Sequence, residues 1–315
     1  PRPAPLRTKG RTPMDTARPT ATTAQHQVST PPDKTLDTAT AGAVLWRTAQ
    51  IRAGHGPRAR AATRALAEDF NQEYEGVATA LSFEDGFGTR GRLHWLIHLR
   101  SLQDYTALTQ RGADRGSGVF GRAAGEDDGW EELFEAGSVR ETVLLPHRWG
   151  IFGTATEAMM QQRIDPIESV DGRSRFRLLP AAEQTSLPVE SLLTSASAGL
   201  LMHRTAQVHY AYRAEARVLA RTLAETYNLN AKGRTSVLMF EEAFGQMDRI
   251  HFFIHMADIE AYQELMALDA SPDPTAPRAS YIQDWISPER GGGTWDKIVM
   301  QDSTRDGLLV PRTFG

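Results

Sequence analysis

Along this chain apolar and polar positions follow two periods, and the change between them marks out elements. Residues 43–52 and 200–209 are β-rich runs of mixed polarity. Residues 57–72 and 214–228 carry apolar or alanine positions at helical spacing among arginines and glutamates, which predicts amphipathic helices. "VATALSFEDGFG", from Val77, and "RTSVLMFEEAFG", from Arg234, predict strands running into a Gly-containing turn. "RLHWLIHL", from Arg92, and "RIHFFIHM", from Arg249, follow those turns. Ser101 and Asp258 are good N-caps for helices over 102–111 and 259–268. A closing strand is expected at 139–145 and again at 296–301. The order β-α-β-β-α-β therefore occurs twice, and it is the order of a ferredoxin-like unit.

Sequence identity supports a duplication. Displaced by 157, residues 43–71 match 200–228 at 11 of 29 positions, and 81–108 match 238–265 at 11 of 28. After a two-residue change of register, Trp130 is set against Trp285 and "ETVLL" against "DKIVM". The expected fold class is α+β: two tandem ferredoxin-like repeats forming an intrachain pseudo-dimeric barrel. The expected division is a disordered N-terminal arm over 1–40, repeat 1 over 41–153, a linker over 154–198 and repeat 2 over 199–315. The arm is assigned on its Pro, Thr, Ala and Arg content, which offers little apolar area to offset ordering entropy.

The two H-x-x-x-H pairs look at first like helical metal motifs. The caps leave only strand length for the runs that carry them. In a strand, His94 and His98 share a face but stand ~13 Å apart, so they cannot hold one ion together. Alternation puts His94, Leu96 and His98 opposite Trp95, Ile97 and Leu99, and likewise His251, Phe253 and His255 opposite Phe252, Ile254 and Met256. The wholly apolar set should meet the helices, which leaves four histidines facing the barrel interior. Trp46, Thr48 and Gln50, and His203, Thr205 and Gln207, are the more polar sets of the first strands and are also pointed inward. Gln50 and Thr48 could bond the histidines of their own repeat and fix their tautomers, as could Gln207 and Thr205. Arg47 and Arg204 have the opposite parity and are placed at a barrel end, where they would hold an anion or pair with Glu84 and Glu241.

Composition narrows the chemistry. With no cysteine among 315 residues, disulfides, thiolate metal sites and cysteine nucleophiles are excluded. A formal net charge of −4 gives no electrostatic footprint for nucleic acid. No apolar run approaches bilayer length, and the expected location is cytoplasmic.

The duplicated unit, with strands followed by "SLQDYTAL" and "DIEAYQEL", resembles the dimeric α+β barrel superfamily over 43–145 and 200–301. Within it, the phrase looks most like NIPSNAP-type and antibiotic-biosynthesis monooxygenase-like domains. That resemblance implies a small-molecule enzyme of oxygenase, cyclase or lyase type, of bacterial secondary metabolism, acting on an aromatic or polyketide-like substrate in the barrel. The inward-facing His94, His98, His251 and His255, read from the alternation and not from the resemblance, are the candidate acid–base groups, and a homodimer is among the expected states. The alternatives are a metal- or haem-dependent oxidase, with barrel histidines joined by Glu84 or Glu241 as ligands, and a non-catalytic ligand-binding protein in which the histidines form a structural network.

Overall fold

The computed structural model describes residues 22–114, 129–146, 167–170, 173–176, 179–269 and 284–312. Eight antiparallel strands close a barrel in the order β1-β3-β2-β10-β7-β9-β8-β4. They are β1 (Ala43–Gln50), β2 (Ala78–Asp85), β3 (Arg92–Leu99), β4 (Arg140–Pro146), β7 (Leu200–Gln207), β8 (Thr235–Glu242), β9 (Arg249–Met256) and β10 (Arg305–Pro311). A separate two-stranded ribbon joins β5 (Ile167–Val170) to β6 (Arg173–Phe176). All eight barrel strands come from one chain, so closure needs no second copy. Each half contributes four, with β1 flanked by β3 and β4 and β7 flanked by β9 and β10.

Two long helices, α1 (Gly56–Glu73) and α4 (Arg213–Asn230), pack outside the barrel. Leu66, Ala67 and Phe70 of α1 recur at helical spacing and bury against Leu45, Leu93, Trp95 and Ile97, the outward alternate of β1 and β3. Leu219, Leu223 and Ala224 do the same for Ile250, Phe252 and Ile254. The shorter helices α2 (Leu102–Asp114) and α5 (Ile259–Asp269) follow β3 and β9. Ser101 Oγ accepts the Asp104 amide at 3.3 Å and Asp258 Oδ1 accepts the Ala261 amide at 3.0 Å, so both act as the caps expected of them. Single turns α3 (Trp130–Leu133) and α6 (Trp295–Ile298) precede β4 and β10.

The inward alternates fill the waist of the barrel. Val44, Leu81, Phe83, Leu96, Leu144, Leu201, Leu238, Phe240, Phe253 and Leu309 form one apolar cluster, each at most 1% exposed. The expected inward face of β3 and β9 is therefore the observed one. The waist is apolar throughout, so the polar groups that could carry chemistry stand at the barrel ends.

Where the halves meet, pairing is short: β10 reaches only Phe83–Asp85 of β2, and β4 only Phe240–Glu242 of β8. Side-chain amides complete the exposed edges. Asn71 on α1 accepts from the Ala80 amide at 2.6 Å and donates to its carbonyl at 3.0 Å. Gln27 serves Ser82 in the same way, at 2.7 and 2.8 Å. In the second half Asn228 and Gln184 repeat both clamps on Val237 and Met239. An amide presents a donor and an acceptor together, as a neighbouring strand would, so these edges are not left as templates for aggregation.

These clamps correct the expected domain division. Residues 22–40 are not a disordered arm: they carry the 3₁₀ turn Ala24–Gln27 and lie against the barrel. Their counterpart is 179–198, the end of the supposed linker, and seven of eighteen positions match between 24–41 and 181–198. Ordering comes from a few anchored side chains, which hydrophobic periodicity does not register. The rest of the supposed arm and linker, apart from the short ribbon, lies outside the described residues.

The register of the closing strand is also corrected. The strand expected at 296–301 is instead α6 and the chain leaving it, and the true last strand is β10. Trp130 corresponds to Trp295, not Trp285, and "RETVLLP" of β4 to "RDGLLVP" of β10. The displacement there is 165, because the connection after α5 is longer by eight residues.

Candidate functional site

The barrel ends differ. At one, the strands begin or finish with Ala43, Leu99, Leu200 and Met256, and the lead-in segments cross it. His98 Nδ1 faces the Thr79 carbonyl at 3.2 Å and Nε2 meets Ser195 Oγ at 2.9 Å. His255 Nδ1 faces the Ser236 carbonyl at 3.1 Å and Nε2 meets Thr38 Oγ1 at 2.7 Å. A carbonyl only accepts, so each Nδ1 carries the proton and each Nε2 accepts from a hydroxyl. The hydroxyl oxygens then accept in turn: Ser195 Oγ from the Thr38 amide at 3.1 Å, and Thr38 Oγ1 from the Ser195 amide at 3.0 Å. Thr38 and Ser195 are equivalent positions of the two halves, so each histidine is bonded by the opposite half.

This web leaves no nitrogen of His98 or His255 for chemistry. Both rings are fully buried, and burial pushes each pKa down to about 4, against partial support from Asp37 and the carbonyl bonds. The catalytic role expected of these two residues is thus corrected to a structural one.

The other end carries His94 and His251. Ionised carboxylates only accept, so His94 Nε2 donates to Asp85 Oδ1 at 2.8 Å and His251 Nε2 to Glu242 Oε1 at 3.1 Å. Both Nδ1 atoms are therefore acceptors. Trp46 Nε1 donates to His94 Nδ1 at 3.2 Å, and His203 Nε2 donates to His251 Nδ1 at 3.0 Å. Trp46 and His203 are equivalent positions and touch edge to face, their ring centroids 4.3 Å apart.

Two matched chains, Asp85–His94–Trp46 and Glu242–His251–His203, therefore meet near the pseudo-twofold. They differ at the last link. Indole is only a donor, so the first chain is closed. Imidazole has a second nitrogen, and among the described residues His203 Nδ1 has no hydrogen-bond partner. Burial, followed by the neighbouring imidazoles His251 and His94, holds the His203 pKa well below 6.5, so at neutral pH that nitrogen is a lone pair. Burial also lowers His251, opposed by its bond to Glu242. For Glu242 burial acts upward, but the His251 bond, the Gln246 amide and Arg249 together hold it below the usual carboxylate range.

Beside His203 there is room. Gly307 of β10 stands directly opposite it, and a side-chain carbon added there would meet nothing within 4 Å. Gly307 shares the inward parity of Leu309. The matching position beside Trp46 is filled by Thr142.

The remaining expected site residues fall elsewhere. Arg47 pairs with Glu141 at 2.6 Å and Arg204 with Asp306 at 2.8 Å, in each case the cross-strand neighbour on the outer face. Their expected role in anion binding is corrected to strand pairing. Gln50 and Gln207 do not touch the histidines; each donates to a turn carbonyl, of Arg90 and Met247, at 2.8 Å. Among the described residues their buried Oε1 atoms have no partner. Thr48 lies across from His94 and Thr205 across from His251, on the inward face. Glu84 and Glu241 face outward and are bound by Arg60 and Arg217 from the helices, so they cannot join a histidine site. Among the described residues no three histidine or carboxylate side chains converge as metal ligands. The histidines also split between the two ends, so the described residues do not assemble the metal site weighed as an alternative.

Sequence reasoning missed Asp85 and Glu242. The signal was available: they continue the inward alternate of Leu81 and Phe83, and of Leu238 and Phe240, by one more step.

The fold and site together define an α+β barrel with one sealed end and one end bearing two carboxylate–histidine chains. The chain belongs to a family of unknown function, DUF6039, whose model matches residues 13–315. No curated protein matches it. Among solved structures it is similar to a protein named as a monooxygenase from Fusobacterium nucleatum subsp. nucleatum ATCC 25586, at 11% identity over 86% of this chain and 93% of that one, with a TM-score of 0.47. An anthrone oxidase-like protein matches at 10% identity over 88% and 94%, with a TM-score of 0.46. Chlorite dismutase from Candidatus Nitrospira defluvii matches at 12% over 86% and 92%, with a TM-score of 0.42.

Proposed function

We propose that the protein is a small-molecule enzyme working by proton abstraction, with His203 as the base. The observation that carries this reading is the unpaired Nδ1 of His203 at the end of the Glu242–His251 chain. Cofactor-free oxygenation, cyclisation and lyase chemistry each open by removing a proton from an acidified position, and a neutral imidazole backed by a carboxylate suits that step. In it, the substrate X–H gives its proton to His203 Nδ1 and keeps the bonding pair as X⁻. His203 passes its Nε2 proton to His251 Nδ1. The positive charge then rests on His251, hydrogen-bonded to Glu242, and His203 is neutral again in the opposite tautomer. His94 and Asp85, closed by Trp46, hold the indole against His203. We read the two halves as tandem ferredoxin-like units, of which only the second keeps an open chain.

The test is deuterium exchange into a cyclic 1,3-diketone, followed by NMR, with wild type and His203→Gln. Acceleration by wild type and its loss in the variant are expected. Equal rates from a folded variant would sink the reading.

A further inference from the structure

Two features of the open end remain unused: the gap at Gly307, and a pair of exposed aromatics. Phe87 and Phe244 occupy equivalent positions on the turns after β2 and β8, beside Asp85 and Glu242, and are 77% and 74% exposed. Large apolar side chains held out in water, and matched in both halves, suit contact with an apolar partner.

We infer that the gap at Gly307 is the subsite that receives the acidic O–H of a weakly acidic ligand with an apolar body, and that Gly307 is the residue that determines its fit. This inference rests on His203 being the base. The gap lies on one side only, since Thr142 fills the equivalent place beside Trp46, so the unpaired nitrogen and the unfilled strand position opposite it both belong to the second half. The waist below is packed, so the ligand enters from the rim and only its acidic group descends. A buried imidazole is a weak base and can take a proton only from a group already acidified, such as an enol or phenol, not from an unactivated C–H. The carboxylates of the two chains are themselves ion-paired, Glu242 with Arg249 at 3.3 Å and Asp85 with Arg92 at 3.9 Å.

The experiment is a spectroscopic titration with 4-nitrophenol, whose phenolate is coloured. Wild type is expected to bind it and to develop the phenolate band below the free phenol's own pKa. Gly307→Val should weaken binding by about tenfold or more. Valine suits a strand, and the position has no neighbour to clash with, so this variant should fold; thermal unfolding checks that. Thr142→Val, in the other half, should leave binding unchanged. His203→Gln should bind but lose the band. If Gly307→Val binds like wild type, the subsite is overturned while the band still reports on the base. If binding responds to Gly307→Val but no band forms in wild type, the subsite stands and His203 as base does not. No binding by wild type, or equal losses from Thr142→Val and Gly307→Val, overturns the subsite.

Discussion

His98 and His94 share one strand face, four residues apart, yet their surroundings give them opposite characters. His98 has every valence taken by the Thr79 carbonyl and Ser195, whereas His94 belongs to a chain near the solvent-facing end. The sealed pair makes stability depend on pH. In the unfolded chain His98 and His255 take up protons near the ordinary 6.5, but in the folded protein only near 4. Between these values the unfolded state binds more protons, so stability is full above 6.5 and falls as pH drops toward 4. Urea unfolding at pH 7 and pH 5 should differ by roughly 3–5 kcal/mol for the two groups together. His203 and His251, also lowered by burial, add to the same slope, so His98→Asn should remove roughly 1.5–2.5 kcal/mol of it; an unchanged slope would mean these rings do not titrate as described. At the other end, Glu242→Gln should slow diketone exchange by about 10²-fold, while Glu84→Gln, one residue before Asp85 but on the outer face, should leave it unaltered.

At the scale of elements, what periodicity can reveal was legible in the sequence. Alternation placed His94, His98, His251 and His255 inward, and Ser101 and Asp258 ended the strands as expected. Elements held by single anchors were not legible. The lead-ins before β1 and β7 have no repeating pattern; they are held by Gln27 and Gln184, each spanning one residue of a strand edge, and by the Thr38–Ser195 exchange. A pattern search sees composition there and reports disorder. Gln27→Ala should cost about 1–3 kcal/mol, since it strips the Ser82 amide of its partner, while the Ser82 carbonyl keeps the Arg312 amide at 3.1 Å. Hydrogen exchange at the Ser82 amide should rise more than at Ala80, which Asn71 still holds. The misplaced last strand has a different cause. Eight extra residues before α6 broke the displacement of 157, and Trp285 offered a false match ahead of Trp295.

For the whole molecule, the barrel depends on both halves at three levels. The seams β2–β10 and β4–β8 join them, the sealed end exchanges hydroxyls between them, and Trp46 meets His203 at the open end. Neither half completes itself. A fragment over 22–146 should self-associate, because β2 and β4 would each present an open edge and His98 would lack Ser195. Light scattering should give twice the fragment mass, with the partner's Thr38 able to stand where Ser195 does here. A stable monomer would show that the seams matter less than their geometry suggests.

The Trp46–His203 contact has one more consequence, for stoichiometry. Two identical halves facing each other across an axis would present two free imidazole nitrogens to one opening, competing for the same guest and repelling each other once either gained a proton. Indole at one of the two positions removes the rival. On the proposed reading, the molecule keeps the scaffold of a symmetric pair while offering a single seat, and a single orientation, to its ligand.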